Sequence, residues 1–152
     1  MATLGNFVSG QVLSAAELND IGTWTSFTPV FTNFTLGDGT VDAKYCQIND
    51  VVFVELALIF GSTSSLTGTL GIAFPVGTAA AVTTYRGSAR LRDNDVPAVY
   101  AGVCFIGLST RFDIYRYLVS GSNLTASVVN ATTPFTWTTS DQVHLEFWYQ
   151  KA

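Results

Sequence analysis

Charge is what this sequence has least of. Only 12% of its 152 residues are Asp, Glu, Lys or Arg, about half the roughly 25% of an ordinary soluble domain. Seven basic residues against eleven acidic ones leave a formal charge of −4. The basic field that neutralising a phosphate backbone needs is missing, so nucleic acid is excluded as an expected partner. The single histidine, His144, and the two cysteines, Cys46 and Cys104, cannot supply a tetrahedral zinc set. No EF-hand loop is present, and Asp38 and Asp93-Asn94-Asp95 read as turn chemistry. No metal or other cofactor is expected.

Long apolar runs are also missing. The longest, Val51 to Phe60 and Val96 to Leu108, are interrupted by Glu55 and Pro97 and fall short of the ~20 residues of a membrane helix. The opening Met1-Ala2-Thr3-Leu4-Gly5-Asn6 has no basic segment followed by an apolar one, so a secretory signal is not expected. Cys46 and Cys104 lie inside apolar strand-like runs and read as reduced core thiols, with a disulfide as the alternative. Catalytic parts are equally scarce. His144 shares a strand face with Glu146, but no serine elbow accompanies it. A glycosidase would have to draw on Glu55, Asp42, Asp113 and Glu146, the few strand-borne acids. No catalytic residue is assigned, and the expectation is a protein that is not an enzyme.

What is present is 48% hydrophobic and 13% aromatic, in patterns that alternate rather than repeat every third or fourth residue. One short stretch reads as helix. Ser14-Ala15-Ala16-Glu17 is a capping box, Leu13 and Leu18 have the spacing of a hydrophobic staple, and Gly22 stops the helix after residues 15–21. From Trp24 onward β-branched and aromatic residues dominate, with turn clusters about every ten residues. Gly37-Asp38-Gly39 reads as a hairpin turn into Thr40 to Ile48, and Asn49-Asp50 as a second tight turn. Val51 to Phe60 and Val96 to Leu108 read as strands apolar on both faces. Gly61 to Gly68 reads as a loop before a short strand from Leu70. Thr83 to Arg92 alternates Tyr85, Gly87, Ala89 and Leu91 against Arg86, Ser88, Arg90 and Arg92. In Gln142 to Gln150 the inward set is Val143, Leu145, Phe147 and Tyr149.

These patterns predict an all-β protein, an antiparallel β-sandwich of jelly-roll type, with residues 23–152 as the domain and residues 1–22 as an N-terminal arm bearing the short helix. Two-sided apolar strands and low charge predict burial against other copies, as a homotrimer. Phe7, Val8, Val12, Leu13, Leu18 and Ile21 are too many apolar side chains for such an arm to hide alone, so the arm is expected to dock on a neighbour or on a larger particle. Glu55, Arg86, Arg90, Arg92 and Arg111 are the candidates for inter-subunit ion pairs. Tyr115, Tyr117, Phe135 and Trp137 are the candidate rings for stacking on a glycan, with a subunit seam as the plainer reading.

Three segments resemble a known group of proteins. Phe7-Val8-Ser9-Gly10-Gln11-Val12-Leu13-Ser14-Ala15-Ala16-Glu17-Leu18-Asn19 is similar to the G-x-x-L-T-A-x-x-L-N opening of many minor tail proteins of tailed bacteriophages. Trp24-Thr25-Ser26-Phe27-Thr28-Pro29, followed by Gly37-Asp38-Gly39 and Tyr45, resembles the W-x-x-Y-T-P … G-x-G-x-x-x-x-Y block that comes next. Pro134-Phe135-Thr136-Trp137 with Asp141 and Trp148-Tyr149 resembles the P-F-x-W-x-x-x-D … Y ending. The resemblance covers both ends of the chain and leaves the middle unmatched. It implies a trimeric virion surface protein without catalytic residues, made in the host cytoplasm and built into the particle beside other tail or capsid proteins. No collagen-like, coiled-coil or β-helical shaft is present, so a compact tail-tip knob is the expected form, with attachment to a host glycan open to it. Capsid decoration is the alternative location. A C1q/TNF-like or lectin-like carbohydrate-binding module and a carbohydrate-active enzyme are the rival classes.

Overall fold

The computed structural model describes residues 10, 12, 14, 15 and 21–152. Ten antiparallel strands make up its body: β1 Thr25–Ser26, β2 Phe31–Thr35, β3 Thr40–Ile48, β4 Val51–Ile59, β5 Ser65–Ala73, β6 Thr84–Asp93, β7 Ala98–Leu108, β8 Arg111–Ser120, β9 Asn123–Val128 and β10 Gln142–Gln150. They form one sheet in the order β1-β3-β4-β10-β6-β7-β8-β5-β2, with β9 added to β8. A twisted sheet this wide curls on itself. The result is the all-β, sandwich-like fold expected from the alternation.

The core lies inside the curl. Val52, Val54, Leu56 and Leu58 of β4 and Val143, Leu145, Phe147 and Tyr149 of β10 face Leu70 and Ile72 of β5 and Phe112 and Ile114 of β8, all of them buried. Phe112 and Phe147 have ring centroids 4.2 Å apart although their strands are not hydrogen-bonded, so this contact crosses the sandwich. Phe34 of β2 meets Phe60, just past β4, at 5.0 Å, which brings the last strand of the sheet over the third. Each of these side chains contributes about 1.5–3 kcal/mol by leaving water.

Several details differ from the sequence reading. Gly37-Asp38-Gly39 is not a hairpin turn, because β2 pairs with β5 while β3 pairs with β4; the turn is a corner that carries the chain between the two layers. Asn49-Asp50 does close a two-residue hairpin, between Ile48 and Val51. β5 begins at Ser65, so part of the expected 61–68 loop is strand. The register of β6 against β7 shifts between Arg86 and Ala89. There Gly87 has φ +67°, a conformation glycine adopts without penalty, and the extra residue makes a β-bulge. Tyr85 therefore joins Arg90 and Arg92 outside instead of Leu91 inside. The odd positions of β4 are also less covered than expected: Phe53 and Ile59 are each 39% exposed. Both cysteines are free and buried, as reduced thiols; Cys104 belongs to the core, whereas Cys46 is buried on the outward side of β3, opposite Phe53. Of the expected helix, Ala15 is helical, while residues 16–20 lie outside the described residues, as do Phe7, Val8, Leu13 and Leu18. Val12 and Ile21 are exposed.

Candidate functional site

The sheet register lays the outward side chains of β3, β4, β10 and β6 in rows that cross the strands. Cys46, Phe53 and Trp148 form one row; Lys44, Glu55, Glu146 and Ser88 form the next; Asp42, Ala57, His144 and Arg90 form a third. Trp24, carried in just before β1, completes a groove of about 490 Å³ with Phe53, Glu55, Ser88, Glu146 and Trp148. Its walls are aromatic. Trp24 is 48% exposed and Trp148 39%, so the indoles are open to a partner along one side.

The charged groups around the groove are engaged locally. Lys44 Nζ lies 3.1 Å from Glu55 Oε2 and also faces the Trp24 ring at 5.5 Å from its centroid. Ser88 Oγ donates to Glu146 Oε1 at 3.3 Å. Beside the bulge at Gly87 the Arg86 guanidinium lies over Trp148, 3.9 Å from the ring centroid, while its buried Nε finds no acceptor among the described residues. His144 does not pair with Glu146. Its neighbours across the strands are Ala57 and Arg90, and burial, with the Arg90 charge second, pushes its pKa below the usual imidazole value.

The expected inter-subunit row is thus partly used within one chain. Glu55 belongs to Lys44, Arg86 to Trp148, and Arg111 to Asp113 at 3.1 Å. Burial raises the Asp113 carboxyl pKa more than Arg111 lowers it. Arg90 and Arg92 have no ion-pair partner among the described residues and stand as a cationic stripe on β6.

The four candidate stacking rings fall into two clusters. Tyr115 packs outside the sheet, 5.8 Å from Tyr85 and 5.1 Å from Phe105, and the half-exposed Tyr117 follows it on the same side of β8. Burial, then Tyr85 and Asp113, raises the Tyr115 phenol pKa. Phe135 and Trp137 instead pack against the core. The Trp137 ring stacks on Phe60 at 4.6 Å and 12°, its Nε1 donates to the Asn130 carbonyl at 3.0 Å, and Phe135 lies against Tyr100 at 5.5 Å. With both rings built into the fold, they do not form one platform with Tyr115 and Tyr117.

The sequence reading missed the groove itself. Phe53 and Trp148 had the right parity to be read as outward, but their alignment depends on the β4–β10 register, and that pairing joins segments some 90 residues apart. Among the described residues no three His, Cys, Asp or Glu side chains converge as a metal group. No family model, curated protein or solved structure matches the chain.

Proposed function

We propose that this chain is a structural subunit of a tailed-phage virion, a compact minor tail or tail-tip protein that assembles as a homotrimer and performs no catalysis. The observation that carries the reading is the outer surface of the sandwich. Trp24, Phe53, Ile59, Tyr85, Val99, Tyr117, Val119, Leu124 and Trp148 are all at least 39% exposed, on a chain with only 12% charged residues. Surfaces of this kind on soluble proteins mark association sites. The tail location comes from the motifs at the two ends of the chain. Of these, Phe135, Trp137 and Asp141 hold the last loop to the rest of the fold, which suits residues tied to a fold rather than to a reaction.

Sedimentation of purified protein tests the assembly, with a trimer expected at micromolar concentration; a well-folded monomer there overturns it. Antibody labelling of intact particles tests the location: label at the tail tip is expected, and label on the capsid shell alone overturns the tail assignment.

A further inference from the structure

The outer surface carries two apolar features of opposite shape, one on each side of the Arg90 and Arg92 stripe. The first is the concave groove of Trp24, Phe53 and Trp148. The second is the ribbon made by the far ends of β8 and β9. On its outward side Tyr117 pairs with Ala126 and Val119 with Leu124, and Val119 is 81% and Leu124 65% exposed. Its other side carries one apolar residue, the partly buried Leu118, among Arg116, Ser120, Asn123, Thr125 and Ser127. The apolar side of this ribbon is the one turned outward, the reverse of a sheet that buries one face and wets the other.

The ribbon is also poorly supported within its own chain. The β7 pairing ends at Gly102 with Arg116, and the β5 pairing reaches only Asp113, so beyond Arg116 only two strands continue. A two-stranded hairpin is marginal alone in water. Among the described residues β9 has no strand on its second edge. Exposed edges are normally guarded by Lys, Pro or a bulge, but β9 contains neither Lys nor Pro and pairs with β8 without a register shift. Residues 117–140 contain no charged side chain at all.

We propose that the β8–β9 ribbon of one copy seats in the Trp24–Phe53–Trp148 groove of the next copy, joining copies head to tail in a closed ring. This rests on the assembly reading above and specifies its interface. The occupant is a second copy because one chain carries both halves and cannot join them itself. β6, β7 and β8 lie between β10 and β9, about 19 Å of sheet at the usual ~4.8 Å strand spacing, so groove and ribbon sit on different flanks. Two unlike surfaces on different flanks form a heterologous contact, which closes into a ring when the rotation permits. The charges fit as well. An uncharged ribbon is cheap to desolvate, and of the two carboxylates in the groove Glu55 is paired with Lys44 and Glu146 accepts from Ser88.

The hairpin geometry supplies clean variants. Gly121-Ser122 is the two-residue turn between Ser120 and Asn123, so these flanking residues form a hydrogen-bonded pair. Alternation then turns the Leu124 and Ala126 amides to the free edge. Ala126→Pro removes one of those amides and spares the β8 ladder. Leu124→Lys places a charge on the apolar side, and Phe53→Glu places the opposite charge in the groove. Sedimentation of the full chain at micromolar concentration, with a thermal melt to verify folding, should show a trimer for the wild type. Each single variant should lose the trimer while keeping its melt, and the Leu124→Lys, Phe53→Glu double variant should regain it. Folded single variants that stay trimeric overturn this interface and leave the assembly reading standing; a monomeric wild type overturns both.

Discussion

Two aspartates show how single residues hold this fold where the strands cannot. Asp141 is fully buried and is bonded on both oxygens: it accepts the Asn94 amide at 2.8 Å, the Thr138 amide at 2.6 Å and the Thr138 hydroxyl at 3.2 Å. It thereby ties the β6–β7 turn to the aromatic loop before β10. Replacing it with Ala strands two backbone donors, and hydrogen bonds to a charged group are each worth about 1.5–3 kcal/mol. Asp141→Ala should therefore lower stability by about 3–5 kcal/mol in a urea titration, and Asp141→Asn by less. Asp38 does the same work at the surface. It accepts the Thr63 amide and hydroxyl and the Ser62 hydroxyl at 2.7, 2.8 and 2.7 Å, and these bonds, the Thr63 amide foremost, hold its pKa far below the usual 3.8. A depressed carboxylate contributes stability that is complete above its unfolded-state pKa and is lost as pH falls toward the folded one. The difference in melting temperature between wild type and Asp38→Asn should be full at neutral pH and should shrink below about pH 3.8. In the sequence Asp38 stood out only as a turn residue and Asp141 only as part of the ending with Pro134-Phe135-Thr136-Trp137. Their partners, 25 and 47 positions away, are set by the layering of the sheet, which local spacing does not encode.

Among the elements, the long strands and the Asn49-Asp50 hairpin were legible, and other joints were not. Val51–Ile59 and Gln142–Gln150 show their inward rows in the sequence because alternation has a period of two and one face is wholly apolar. The corner at Gly37-Asp38-Gly39 was misread because hairpins and layer crossings draw on the same turn residues, and only the pairing of β2 with β5 separates them. The β6 bulge was hidden for a subtler reason. Tyr85-Arg86-Gly87-Ser88-Ala89 keeps a plausible alternation, so nothing in it announces that the parity changes at Gly87. The bulge adjoins the groove: Arg86, on one side of Gly87, covers Trp148, and Ser88, on the other, lines the groove. A Cβ at residue 87 would meet the Glu146 carbonyl and Phe147 on a backbone at φ +67°. Gly87→Ala should then cost at least about 2 kcal/mol. It should also change the tryptophan fluorescence as Arg86 leaves Trp148, and a melt and spectrum identical to wild type would show that the bulge does not constrain the groove.

For the molecule as a whole, the proposed trimer raises the question of which outer feature would join its copies: the arginines expected to make ion pairs or the rings and aliphatic side chains beside them. The two answers separate in salt. Arg86, Arg111 and Glu55 already have partners in their own chain, which leaves Arg90 and Arg92, of the five residues expected to make inter-subunit pairs, as the ones an acidic neighbour would meet. Exposed charge pairs are screened over about 10 Å at ~0.1 M salt and about 3 Å at ~1 M, so a trimer held by them would loosen steeply across that range. A trimer held by an uncharged ribbon in that groove has no charge pair across the interface to screen, because the groove carboxylates meet no charge from the ribbon. Its dissociation constant, followed by sedimentation, should change by less than about threefold between ~0.1 and ~1 M NaCl. Temperature should act instead. Apolar association carries a negative heat-capacity change and weakens on cooling, so the same trimer should shed monomer in the cold while each monomer stays folded. Weakening of tenfold or more with salt, and none with cooling, would move the interface from the ribbon and groove to the arginine stripe of β6.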